Sequence, residues 1–176
     1  MHRVVPAILV AMFVIAVASA SQRPVIEVYK SATCGCCGKL VEHLRQHGFS
    51  VQTTDVQNLS EIKAKYNVPG QLGSCHTGIV QGYVIEGHVP ATDVLRLLQE
   101  RPKVVGIAVP GMPMGSPGME GPRAEAYEVV SFDQTSQVKV FSSHRPYGAR
   151  GSGLGTQGSD SRPQDSSPRA RGPSRS

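Results

Sequence analysis

The chain has 176 residues, only four of them cysteine, and carries 18 Lys+Arg against 13 Asp+Glu. Between Ser21 and His144 the balance is even, 11 basic against 11 acidic residues, whereas from Arg145 onward six arginines face two aspartates. The basic character therefore belongs to the tail; a basic tail can suggest nucleic acid, but the start of the chain points to export, where nucleic acid is excluded as a partner.

Residues 1–20 read as a signal peptide. "MHR" is a short basic start, Val4 to Ala18 is an apolar run of 15, and Ala18-Ser19-Ala20 ends it with small residues, which predicts cleavage after Ala20. A spanning helix needs about 20 apolar residues, so no stable membrane anchor is expected. No cysteine follows the cleavage point, which argues against a lipoprotein. The expected compartment is the periplasm, an oxidising space. At the other end, Gly, Ser, Pro and Arg supply 22 of the 31 residues from Pro146 to Ser176. Such a segment cannot bury enough surface to offset its ordering entropy, so residues 145–176 are expected to form a disordered tail and residues 21–144 a single domain.

Within that domain, "VIEVY" (Val25–Tyr29) reads as a buried strand. A loop with Cys34, Cys36 and Cys37 follows. Cys37, Leu40, Val41 and Leu44 recur at helical spacing, and Gly48 stops that helix. "FSVQTTDV" reads as a second strand. Ser60 is placed as the cap of a short helix, "EIKAKY". Thr77–Val80 and Tyr83–Glu86 read as strands joined around Gln81-Gly82, and Pro90 opens a helix over "ATDVLRLLQE". After Glu100 comes a Gly/Pro-punctuated loop with Met112, Met114 and Met119, then a hairpin of "YEVVSF" and "QVKVF" turning at Asp133–Ser136.

The order β-α-β-α-β-β-α, with a CxxC (Cys34, Cys37) between the first strand and its helix, is the thioredoxin arrangement. The predicted fold class is thus α/β, thioredoxin-like, with a C-terminal loop and β-hairpin extension. In such folds the loop entering the third strand lies against the CxxC loop. Here that loop is "QLGSCH", which brings Cys75 and His76 toward Cys34 and Cys37. Thioredoxins usually carry proline at this approach; Cys-His instead adds soft ligands to what would be a substrate groove.

The thiol spacing argues for a site and against a framework of staples, because adjacent Cys36 and Cys37 pair only with strain. A helix N-terminus and Lys39 favour thiolate. A dithiol oxidoreductase needs two thiols, whereas this site offers three in one loop and a fourth through the fold. Such a cluster suits Cu(I) above zinc. Thioether is a sensible copper ligand outside the cytosol, so Met112, Met114 and Met119 are candidate ligands, with gap-filling as the alternative. His76, beside Cys75, is a further candidate. His43 and His47 are read as exposed, and His88 as equally consistent with a structural role.

"VYKSATCGCCGKLVEHL", "SCHTGIVQGYVIEGHVPATDVLRLL" and "GIAVPGMPMGSPGME" together resemble the small exported copper-resistance proteins of the CopG type, over about Val25 to Phe141. The resemblance implies a periplasmic protein that binds copper through Cys34, Cys36, Cys37 and Cys75 and serves copper tolerance, with copper-handling or thiol-reducing proteins as partners. The alternative is a periplasmic thiol–disulfide or copper-ion oxidoreductase in which Cys34 and Cys37 are the catalytic pair.

Overall fold

The computed structural model describes residues 23–146. The expected signal peptide and all but the first two residues of the expected tail lie outside them. Among the described residues, no helix is long and apolar enough to cross a membrane.

Seven strands and three α-helices follow one another: β1 (Val25–Lys30), α1 (Gly35–Gln46), β2 (Ser50–Asp55), α2 (Leu59–Lys65), a 3₁₀ turn (Gly70–Leu72), β3 (His76–Val80), β4 (Tyr83–Glu86), α3 (Ala91–Glu100), β5 (Gly106–Ala108), β6 (Tyr127–Phe132) and β7 (Val138–His144). The strands form one mixed sheet in the order β2-β1-β3-β4-β5-β6-β7. β1/β2 and β4/β5 are parallel, each pair joined by the helical crossover that parallel neighbours need, and the other neighbours are antiparallel.

Side chains alternate across a strand, and the core divides accordingly. Ile85, Ile107 and Val129 point to one face, packed with Leu40, Val41 and Leu44 of α1 and Val94 and Leu97 of α3. Their neighbours Val84, Ala108 and Val130 point to the other, with Phe132 and Leu72 of the 3₁₀ turn. The helical stripe of α1 is buried as its spacing predicts, Cys37 included. Each such aliphatic side chain contributes roughly 1.5–3 kcal/mol.

Two local readings are corrected. The cap of α2 is Asn58, whose Oδ1 accepts the Ser60 N–H at 3.0 Å; Ser60 already lies inside the helix. Gly106–Ala108, read as loop, is a fully buried strand; three residues are too few to show a period, and a Cβ on Gly106 would run into the Val84 carbonyl. In the methionine loop, Met112 (φ 49°) and Gly115 (φ 95°) are left-handed, so the backbone turns between Met112 and Met119.

The hairpin of β6 and β7 is tied to α3. His144 Nε2 lies 2.7 Å from Asp93 Oδ2, and its ring stacks on Tyr127 with centroids 4.8 Å apart. Burial, with the Asp93 charge adding to it, pushes the Tyr127 phenol up to about 12. A phenol raised in the folded state gives stability that is complete below its unfolded value of about 10 and is lost as pH rises through the folded value. Stability should therefore fall between about pH 10 and about pH 12, and less so in Tyr127→Phe. Denaturant unfolding on either side of that window checks this; equal losses in the two proteins would contradict it.

Candidate metal centre

The cysteine turn sits where β1 ends and α1 begins. Cys34 is the N-cap residue of α1, in an extended conformation (φ −78°, ψ 96°), and its N–H donates to the Ser31 carbonyl at 3.1 Å. Cys36 and Cys37 fall in the first helical turn, where free N–H groups and the helix dipole favour negative charge. Cys75 arrives through the sheet. β3 runs antiparallel to β1 with His76 opposite Lys30, so the residue before His76 meets the loop that leaves β1.

The four sulfurs form one cluster. Cys34 and Cys37 are joined by a disulfide, and Cys36 and Cys75 are free. Cys37 Sγ lies 3.4 Å from Cys75 Sγ. Cys36 Sγ lies 3.6 Å from Cys34 Sγ and 3.8 Å from Cys75 Sγ. All four fall within 4.8 Å of one another. The one bond present closes the CxxC pair and staples nothing distant.

A second donor group shares Cys75. His76 Nδ1 and His88 Nε2 lie 3.4 Å and 3.5 Å from Cys75 Sγ, and the three donor atoms are also within 4.8 Å of one another. Each ring is held from its far side: His76 Nε2 is 2.8 Å from the Gly87 carbonyl and His88 Nδ1 is 2.8 Å from the Pro117 carbonyl. A carbonyl only accepts, so those nitrogens carry the N–H, and both lone pairs face Cys75. Metal-binding imidazoles are commonly oriented this way. Burial keeps both rings neutral, with His76 pushed down to about 3 and His88 lowered. Burial also pushes the Cys75 thiol up, and the neighbouring Cys36 adds to that.

The methionine loop returns to the cysteine end. Pro117 orients His88, and Gly118 (φ +84°) packs so closely on α1 that a Cβ there would stand 2.9 Å from both Cys36 O and Leu40 N. Glu120 Oε1 accepts the Gly118 N–H at 2.6 Å; that bond, above all, holds its carboxyl below the usual range, with the charges of Lys39 and His43 assisting. Met112 is among the exposed apolar residues. The end of Met114 lies against Gly121, and Met119 is half-buried beside Gly118. His43 and His47 are used elsewhere: His43 Nε2 accepts the Ala91 N–H that opens α3, and His47 Nδ1 lies 2.8 Å from the His43 carbonyl.

His88, equally consistent with a structural role from the sequence, lies with Nε2 3.5 Å from Cys75 Sγ. The signal was available in the hairpin: Thr77 pairs with Glu86, and continuing that register by two residues sets Cys75 across from His88.

Comparison with known proteins supplies the family. A family model described as a protein of unknown function, DUF411, matches residues 72–119. That span holds Cys75, His76, His88 and the methionine loop, though not the cysteine turn. No curated protein matches the chain. Two solved structures of a copper resistance protein CopG do. Form 2 is 45% identical, with a TM-score of 0.67, covering 70% of this chain and 99% of its own. Form 1 is 46% identical, with a TM-score of 0.66, covering 69% and 98%. The chain belongs to the CopG family of copper resistance proteins. The match covers nearly the whole length of the solved relatives.

Proposed function

We propose that this is an exported copper-binding protein that holds Cu(I) on Cys34, Cys36, Cys37 and Cys75 and acts in copper tolerance. The observation that carries the reading is the convergence of Cys75 on the cysteine turn, 3.4 Å from Cys37 Sγ. Four sulfurs this close, two of them from adjacent residues, suit a soft ion that accepts bridging thiolates better than the tetrahedral knuckles of structural zinc. Cys75 also faces the lone pairs of His76 and His88, so it is placed to bridge two metal positions. Of the three methionines, Met119 adjoins Gly118, which packs on the cysteine helix, and it is the one proposed to shield the site ahead of Met112 and Met114. In the oxidised form the Cys34–Cys37 disulfide must take up two electrons, which break the S–S bond and leave two thiolates, before all four sulfurs are available to a metal. That need implies a periplasmic thiol-reducing partner, alongside one that delivers or receives copper.

The disulfide itself favours a second reading, a thiol–disulfide or copper-ion oxidoreductase using Cys34 and Cys37. The extra cysteine is poorly placed to serve it. Displacement at sulfur proceeds in line, so attack by Cys75 on Cys37 would hold the attacking and leaving sulfurs about 5.4 Å apart, given a disulfide length of about 2 Å. The four sulfurs instead lie within 4.8 Å of one another, a cluster and not a line.

The same reading takes β1 through α3 as a thioredoxin-like unit, with CxxC at the N-terminus of its first helix, and the methionine loop and β6–β7 hairpin as an extension. Residues 1–20 are proposed as a cleaved signal and 145–176 as an appended tail. The test is anaerobic titration of the reduced protein with Cu(I), followed by thiolate-to-copper absorption. Uptake that disappears when Cys34–Cys37 is left oxidised supports the site. Disulfide exchange without copper uptake would reverse the two readings. Recovery from the periplasm with Ser21 as first residue tests export.

A further inference from the structure

Three sulfurs of the cluster come from one helical turn, but Cys75 is delivered by a separate segment, and a buried carboxylate lies beneath that segment. Glu86, the last residue of β4, is fully buried. Its Oε1 accepts the Ser74 N–H at 2.6 Å and its Oε2 accepts the Thr77 hydroxyl at 2.8 Å, so it grips the chain on both sides of Cys75. Lys63 of α2 completes the arrangement: its ammonium donates to Glu86 Oε1, to Thr77 Oγ1 at 2.9 Å and to the His76 carbonyl at 3.3 Å. There is little slack around it, since a Cβ on Gly87 would stand 2.7 Å from the Val109 carbonyl and 3.2 Å from Ser74 Cβ.

A buried ion pair is weak evidence for stability, because apolar residues of similar volume often replace one at no loss. What apolar residues cannot do is accept hydrogen bonds from Ser74 and Thr77 together. We propose that Glu86, with Lys63, is a positioning residue of the metal centre, fixing Cys75 against the cysteine turn of α1. Without it the centre divides into a three-thiol turn and a loosely held fourth thiol. The copper consequence rests on the function proposed above; the placement of Cys75 does not.

The experiment uses the full chain, reduced and metal-free, and measures the alkylation rate of each cysteine by mass spectrometry with N-ethylmaleimide. Glu86→Ala leaves two buried donors unpaired and should raise Cys75 labelling by about tenfold or more, while Cys36 stays near its wild-type rate. Glu86→Gln keeps one acceptor oxygen but turns an N–H donor toward a group that itself donates, so it should raise Cys75 labelling less than Glu86→Ala does, by about threefold. It also serves as the folded variant if Glu86→Ala does not fold. Val94→Ala, a core change in α3, controls for general loosening and should leave Cys75 at the wild-type rate. Wild-type Cys75 labelling in folded Glu86→Ala or Glu86→Gln overturns the proposal, as does equal labelling in Val94→Ala. Cu(I) titration of the same proteins separates the two claims. Faster Cys75 labelling with no copper uptake even by the wild type sinks the copper reading and leaves the positioning role standing.

Discussion

Replacing Cys75 by serine is expected to weaken Cu(I) binding by at least about 100-fold, the upper end of what is lost when only the outer partners of metal ligands are removed. Cys75 is the one sulfur that touches both donor groups, 3.4 Å from Cys37 Sγ and within 3.5 Å of nitrogens on His76 and His88. Serine keeps the shape but offers a hard oxygen that does not ionise at neutral pH. Cys36→Ser should behave in the same way, because Cys36 bridges the space between Cys34 and Cys75. Stability should change by no more than about 1 kcal/mol in either variant, since neither cysteine is in the disulfide or fully buried. The comparison is decisive between the two functional readings. In an oxidoreductase both variants would retain exchange activity, and only changes at Cys34 or Cys37 would remove it. Anaerobic competition with a Cu(I) chelator, beside an insulin-reduction assay, gives the answer. Unchanged copper affinity in Cys75→Ser would end the four-cysteine assignment.

Gly118→Val should lift the methionine loop off the cysteine helix. The position is left-handed, and a Cβ there meets the backbone at both Cys36 and Leu40. A β-branched residue carries the left-handed strain of roughly 1–2 kcal/mol and the overpacking cost of roughly 1–3 kcal/mol together. The loop can relieve both only by moving, and the Pro117 carbonyl that holds His88 Nδ1 would move with it. Hydrogen exchange over residues 110–121 should rise, and the His88 ring should lose its single nitrogen-shift signature in NMR. Wild-type protection across the loop would show that Gly118 is not what keeps it seated.

Much of the fold was legible because its elements announce themselves locally. The stripe Cys37, Leu40, Val41, Leu44 is a helix by spacing alone, and the Gln81-Gly82 turn marks a hairpin. The cysteine turn was legible for the same reason, as its three thiols are neighbours in the chain. What was less legible depends on long-range contact. Gly106–Ala108 becomes a strand only because Val84 and Phe132 lie on either side of it. Glu86 looked like an ordinary strand-end acid, since its partners Lys63 and Ser74 belong to other elements. The methionines were conspicuous by composition, but the contacts that seat their loop are made by Pro117, Gly118 and Glu120, two of them through backbone atoms whose role no side-chain chemistry advertises.

Glu86 and Glu120, whose hydrogen bonds reach the segments that flank the centre, are already engaged. Both oxygens of Glu86 accept from Ser74, Thr77 and Lys63, and Glu120 accepts from its own loop at Gly118. The donors that face inward are therefore sulfur and neutral imidazole. Calcium and magnesium seek anionic oxygen, which the cluster does not offer among its donor atoms. At the proposed metal centre a hard ion would therefore meet sulfur and imidazole in place of a free buried carboxylate.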